Sequence, residues 1–151
     1  MSKSDERNTK AILKLIELTQ RGNLNWQLWN KDSVNLKNNE TIGPVFVTKY
    51  NEKLLRIYEK TILVTQSDEG DLSAIVNISI GRTYPYYLRL IHLEVIDGED
   101  VLWEFPNDSA LDELYSEIKY KVSGVADLID SLLNDTLPIK LLYFYEATTG
   151  K

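Results

Sequence analysis

The chain has 151 residues, 43% apolar and 26% charged, with no cysteine and a formal net charge of −6. That length and composition fit one globular domain over residues 1–151, large enough to bury a core without covalent staples. The lack of cysteine excludes disulfides, thiolate ligands and cysteine nucleophiles. An acidic balance of 23 to 17 disfavours nucleic acid as a partner, because such binding rests on neutralised phosphates.

The charged start of the chain has no apolar block behind it, and no run approaches the roughly 18 apolar residues of a bilayer span. A cytoplasmic protein without membrane contact is expected. Residues 4–21 read as a helix, with Ser4 or Asp5 as N-cap and Gly22 at the left-handed position after its end. Ile12, Leu15, Ile16 and Thr19 share one face. Residues 24–28 alternate as a short strand or strap, with Leu24, Trp26 and Leu28 on one side and Trp29 on the other. The asparagine-rich stretch 30–39 reads as a loop.

Two strands, 45–50 and 53–65, flank a tight turn at Asn51-Glu52. A two-residue loop pairs Phe46 with Ile57 and Thr48 with Leu55 on an apolar face. The opposite face carries Val47 against Arg56 and Val45 against Tyr58, and with Lys60 it reads as an ordinary solvated face. Further strands are expected over 72–80, 86–96 and 101–105. After Pro106, with Asn107 or Asp108 as cap, Leu111, Leu114, Tyr115, Ile118, Val122, Val125, Ile129 and Leu132 recur at helical spacing. Ser123-Gly124 predicts a kink or break. A tail, 136–151, has strand-like composition and is expected to add a strand within the chain or to a second copy, leaving monomer and homodimer both open.

Short connections favour antiparallel neighbours. The expected fold class is therefore α+β. It has an antiparallel meander of five to six strands, covered on one face by the N-terminal helix and a long, kinked C-terminal helix.

The pattern Leu18-Thr19, Gly22, Leu24 and Trp26, followed by Val101, Trp103, Phe105-Pro106, Ser109-Ala110-Leu111 and Leu114-Tyr115, resembles a group of small bacterial or phage single-domain proteins with no assigned activity. The resemblance covers roughly residues 10–133 and rests on capping and core positions. It implies a single α+β domain and a bacterial or phage source. It carries over no catalytic residue.

The glycines stand alone, so dinucleotide and phosphate-loop motifs are missing, and no nucleophile elbow occurs. Asp68-Glu69-Gly70-Asp71 lacks calcium-loop spacing, and the sequon Asn77-Ile78-Ser79 is incidental in a strand of a cytoplasmic protein. No metal or cofactor is expected. One constellation carries conceivable chemistry. An odd hairpin loop at 97–100 pairs Val95 with Trp103 and Leu93 with Phe105 on an apolar face. It then sets Glu94 opposite Glu104 on the other face, near His92, the only histidine. Facing carboxylates repel and raise a pKa unless a cation sits between them, which suits a proton shuttle or a metal site, whereas a solvated face screens them to insignificance.

A second constellation is aromatic. Arg82, Tyr84, Tyr86, Tyr87 and Arg89 gather the residue types enriched at binding hot spots, and Trp29 is a further exposed candidate. The leading functional expectation is a non-enzymatic bacterial protein that acts through protein–protein contacts, such as a regulator, inhibitor or immunity-type protein. The alternatives are a binder of a small anionic or nucleotide-like ligand through the Arg82–Arg89 segment and a hydrolase using His92, Glu94 and Glu104.

Overall fold

The computed structural model describes residues 3–65 and 84–135. Its elements, in order, are α1 (Lys3–Gln20), β1 (Gln27–Trp29), a single 3-10 turn (Lys31–Ser33), β2 (Glu40–Ile42), β3 (Val45–Tyr50), β4 (Lys53–Val64), β5 (Tyr86–Asp97), β6 (Asp100–Glu104), α2 (Ala110–Ser123) and α3 (Val125–Asn134). The strands form one antiparallel sheet in the order β1-β3-β4-β5-β6, with β2 also paired to β4. The fold is α+β. The expected strand at 72–80 and the expected tail strand lie outside the described residues.

α1 buries Ile12, Leu15, Ile16 and Thr19, the face that the helical spacing gives. Thr19 Oγ1 donates to the Leu15 carbonyl (2.7 Å) and accepts from Trp26 Nε1 (3.0 Å), so the buried indole keeps its hydrogen bond. Gly22, at φ +76°, ends the helix, and the Asn23 N–H closes back on the Leu18 carbonyl (2.9 Å). α2 contributes Leu111, Leu114, Tyr115 and Ile118. Its first turn is held by Asp108, whose carboxylate accepts the Ala110 N–H (2.9 Å). These side chains meet Phe46, Leu55, Ile57, Ile91 and Leu93 in one core between helices and sheet. Each fully buried one contributes about 1.5–3 kcal/mol. Tyr115 anchors α2 to the sheet by donating to the Pro44 carbonyl (2.7 Å), while its ring meets Phe46 edge-on (5.8 Å). A Cβ at Gly43 would lie 3.1 Å from that hydroxyl, so a side chain there would crowd the anchor.

The β3–β4 turn is as expected: Asn51 and Glu52 both have positive φ, and Phe46 pairs with Ile57 and Thr48 with Leu55. Three features differ from expectation. Residues 40–42, for which the sequence pattern predicts no element, form β2, which shares with β3 one edge of the long strand β4. β4 pairs directly with β5 through eleven residue pairs, where the strand expected at 72–80 would have come next in the meander. The helical stripe covers the sheet only over α2. Gly124, at φ +68°, breaks the helix, and α3 turns Leu128, Ile129, Leu132 and Leu133 outward.

The β5–β6 hairpin has the expected pairs, Val95 with Trp103 and Glu94 with Glu104, but not the expected odd loop. The turn is the two-residue Gly98-Glu99, with Gly98 at φ +62°. The register shifts by one at a bulge, where Leu102 is the extra residue between Ile96–Val101 and Val95–Trp103. Trp103 lies on the helix-covered side yet is 47% exposed, packed edge-on against Phe105 (4.7 Å). It is a rim residue of the core, because β6 is the outer strand and lies beyond the helices' cover.

Candidate functional site

Strand alternation places Arg56, Tyr58 and Lys60 of β4, His92 and Glu94 of β5 and Glu104 of β6 on the sheet face opposite the helices. This face is not solvated as expected. Arg56 is 2% exposed, Tyr58 2% and Glu94 5%. Val34, Val45 and Tyr58 form a small apolar cluster there, flanked by Ile42, and the 3-10 turn supplies the Ser33 carbonyl that accepts from Arg56 Nη1 (3.2 Å). The loop before β3 therefore acts as a lid over half of this face. Asn30 shapes that lid by accepting the Asp32 N–H on its side chain (3.0 Å).

The polar groups are sorted into closed pairs. Arg56 donates to Glu94 Oε1 from Nε (2.9 Å) and lies 2.8 Å away through Nη2, and Tyr58 donates to Glu94 Oε2 (3.2 Å). Burial first, and then the Glu94 charge, raise the Tyr58 phenol well above its ordinary value of 10. His92 stacks on Tyr58 (5.3 Å, 14° between planes) and turns Nδ1 to Glu104 Oε1. The hydrogen bond from His92 holds the Glu104 carboxyl below its ordinary 4.5, outweighing partial burial. That contact therefore stabilises the fold above the ordinary value, and the contribution fades as pH falls through the lowered one. Lys60 and Glu40 make a third pair at 3.6 Å.

The structure thus brings His92, Glu94 and Glu104 together, but the expected repelling carboxylate pair is absent: each carboxylate has its own cationic or hydrogen-bonding partner. Glu94 is buried, with Arg56 on one carboxylate oxygen and Tyr58 on the other. The His92 Nε2 is buried and has no hydrogen-bond partner among the described residues, so it is sealed from solvent rather than presented. Among the described residues, no group of three or more histidine, aspartate or glutamate side chains is arranged to hold one metal ion. Arg56, Tyr58 and Glu94 thus form a buried network, and Glu104 is the carboxylate of the set that reaches solvent.

The aromatic segment divides between two faces. Arg82 lies outside the described residues. Tyr84 and Tyr86 approach each other (ring centroids 5.5 Å), half-buried on the polar side. Tyr87 and Arg89 are exposed on the side facing the helices. A single anion-binding surface does not follow from that alternation. Trp29 is half-exposed at the opposite sheet edge and lines a shallow cleft of ≈ 340 Å³ with Val47, Thr48 and Leu54.

Sequence reasoning missed two features. One is Arg56 as the partner of Glu94, visible only once β4 is set beside β5. The other is an open cleft of ≈ 410 Å³ where β6 stops and β5 continues. Leu90, Ile91, Phe105 and Pro106 line it with Glu104, His92 and Asn107. Beside it, β6 is exposed along its whole length and pairs, among the described residues, only with β5. Val101, Leu102 and Trp103 all stand in solvent there. Among the described residues, no helix is long and apolar enough to cross a membrane. No protein-family model, curated protein or solved structure matches the chain.

Proposed function

We propose that this protein works by binding another protein, with β6 as the contact surface. The observation that carries the reading is the run Val101-Leu102-Trp103, three large apolar residues exposed on an outer strand, with Val101 on the face of Ile96 and Trp103 on the face of Val95, so that the apolar surface wraps the strand's edge. Adjacent exposed apolar groups of this kind mark interaction surfaces, and tryptophan is a preferred anchor in them. The observation against catalysis is equally local: Glu94 is buried against Arg56 and Tyr58, His92 Nε2 is buried, and Glu104 alone of the three reaches solvent.

The test places a photo-reactive amino acid at Leu102 and, as control, at Leu13, which is similarly exposed on α1. Irradiation in cells that make the protein is expected to give a discrete covalent adduct from position 102 and none from position 13. No adduct at 102, or the same pattern at both, would overturn the reading.

A further inference from the structure

Resting on that reading, we infer that the partner presents a segment with an apolar centre and lysine or arginine flanks, the centre lying along the outer edge of the strand at Leu102–Trp103 and one basic side chain entering the cleft beside Glu104. Three observations support this. First, the chain contains no lysine or arginine between Arg89 and Lys119, while nine acidic residues fall in that interval. Four of them, Asp97, Glu99, Asp100 and Glu104, surround the apolar run. Among the described residues, Asp97, Glu99 and Asp100 have no ion-pair partner, so their field is open to an incoming cation.

Second, the cleft has the shape of chemistry that a lysine or arginine fills. Its walls are the apolar Leu90, Ile91, Phe105 and Pro106, and Glu104 is the one carboxylate in its lining. A long basic side chain lays its methylenes on such walls and its charge against the carboxylate. Third, a second copy of this chain is a poor occupant. Antiparallel pairing of two β6 strands centred on Leu102 sets Asp100 opposite Glu104 twice. Shifting the centre by half a residue toward Asp100 sets Glu99 opposite Glu104 instead. Like charges directly opposed destabilise a strand pair. The bulge at Leu102 also breaks the ladder that such pairing needs, so the contact is made by side chains more than by backbone.

The experiment uses three synthetic nonapeptides binding to the full-length chain, followed by fluorescence anisotropy. One has five apolar residues flanked by two lysines on each side, one has glutamates in place of lysines, and one keeps the lysines but has a serine centre. The lysine-flanked apolar peptide is expected to bind at least about tenfold tighter than either other, a difference of one decade in Kd. Its affinity should fall as salt rises from about 50 to about 300 mM. Glu104→Lys, with its fold checked by circular dichroism, should lower affinity for the lysine-flanked peptide about tenfold and raise it for the glutamate-flanked one. Trp103→Ala should weaken the lysine-flanked peptide without changing its salt dependence. Equal binding of lysine- and glutamate-flanked peptides, or no binding by any, overturns the inference. If that happens while position 102 still crosslinks in cells, the contact surface stands and only the partner's chemistry is wrong. If the crosslink also fails, both fall.

Discussion

Arg56 shows how much can depend on one side chain in a sheet this thin. It is 2% exposed and donates to Glu94 and to the Ser33 carbonyl, so it joins β4, β5 and the lid loop at one point. Removing one member of a buried ion pair leaves the other charged and unpaired, which costs about 3–5 kcal/mol. Arg56→Ala is therefore expected to lose that much in urea denaturation. Combining Arg56→Met, Glu94→Leu and Tyr58→Phe removes the whole network and should recover most of the loss, because no buried charge is then left unpaired and only the Ser33 carbonyl loses its donor. A triple variant no more stable than the single one would show that the network also holds the lid in place. The buried phenols give a second test. Tyr58 is raised above 10, and burial pushes Tyr115 up to about 12. A raised phenol contributes stability that is fully present below the unfolded value of about 10 and is lost as pH climbs toward the folded one. Titration at 295 nm should thus show at least two of the nine tyrosines ionising late, in step with loss of structure. Tyr58→Phe should remove one of the two. All nine ionising in one step near the ordinary value would contradict the packing of both rings.

At the scale of the elements, the register of the hairpin and the facing of Trp103 separate. Pairing of Val95 with Trp103 was legible, because only that pairing puts Leu93, Val95 and Phe105 on one side. The degree of burial was not, since facing inward and being covered are different things on an outer strand. Trp103→Ala is expected to cost about 1–2 kcal/mol, well short of the roughly 3–5 of a fully buried tryptophan. Denaturation showing the larger loss would mean the ring is covered in solution. α1 and the buried face of α2 were readable in full, because their apolar spacing and the glycines after them make one consistent statement. The buried network on the other face was not readable. Arg56, Tyr58 and Lys60 look like a solvated face until β5 lies beside β4, and the intervening run of strand-like residues hid that neighbour. Likewise, the aromatic cluster around Tyr84 looked like one surface in sequence, and alternation along β5 splits it.

Across the whole molecule, charge is distributed unevenly. The net −6 is concentrated in the interval from Arg89 to Lys119, where acidic groups have no lysine or arginine among them. Such a region repels itself, and the repulsion is screened by salt, with a Debye length of about 30 Å at 0.01 M and about 10 Å at 0.1 M. The melting temperature at neutral pH is expected to rise by a few degrees over that range of sodium chloride. A fall would mean that the ion pairs Arg56–Glu94 and Lys60–Glu40 outweigh the acidic interval in the overall balance. The helices cover one face of the sheet, the lid covers part of the other, and the acidic edge at β6 is where the described fold leaves apolar side chains in water.

Leu102 is a spare residue in a literal sense. Deleting it would leave Asp97 opposite Asp100, Ile96 opposite Val101, Val95 opposite Trp103 and Glu94 opposite Glu104, with every side chain on its present face. The hairpin would lose nothing but its irregularity. What the irregularity does is interrupt the row of backbone groups along an apolar outer strand, the kind of strand that otherwise seeds cross-β growth. One extra residue thus separates a surface that can be gripped from a strand whose backbone row is continuous, and in a chain lacking it Asp100 and Glu104 would be the remaining barrier to copying.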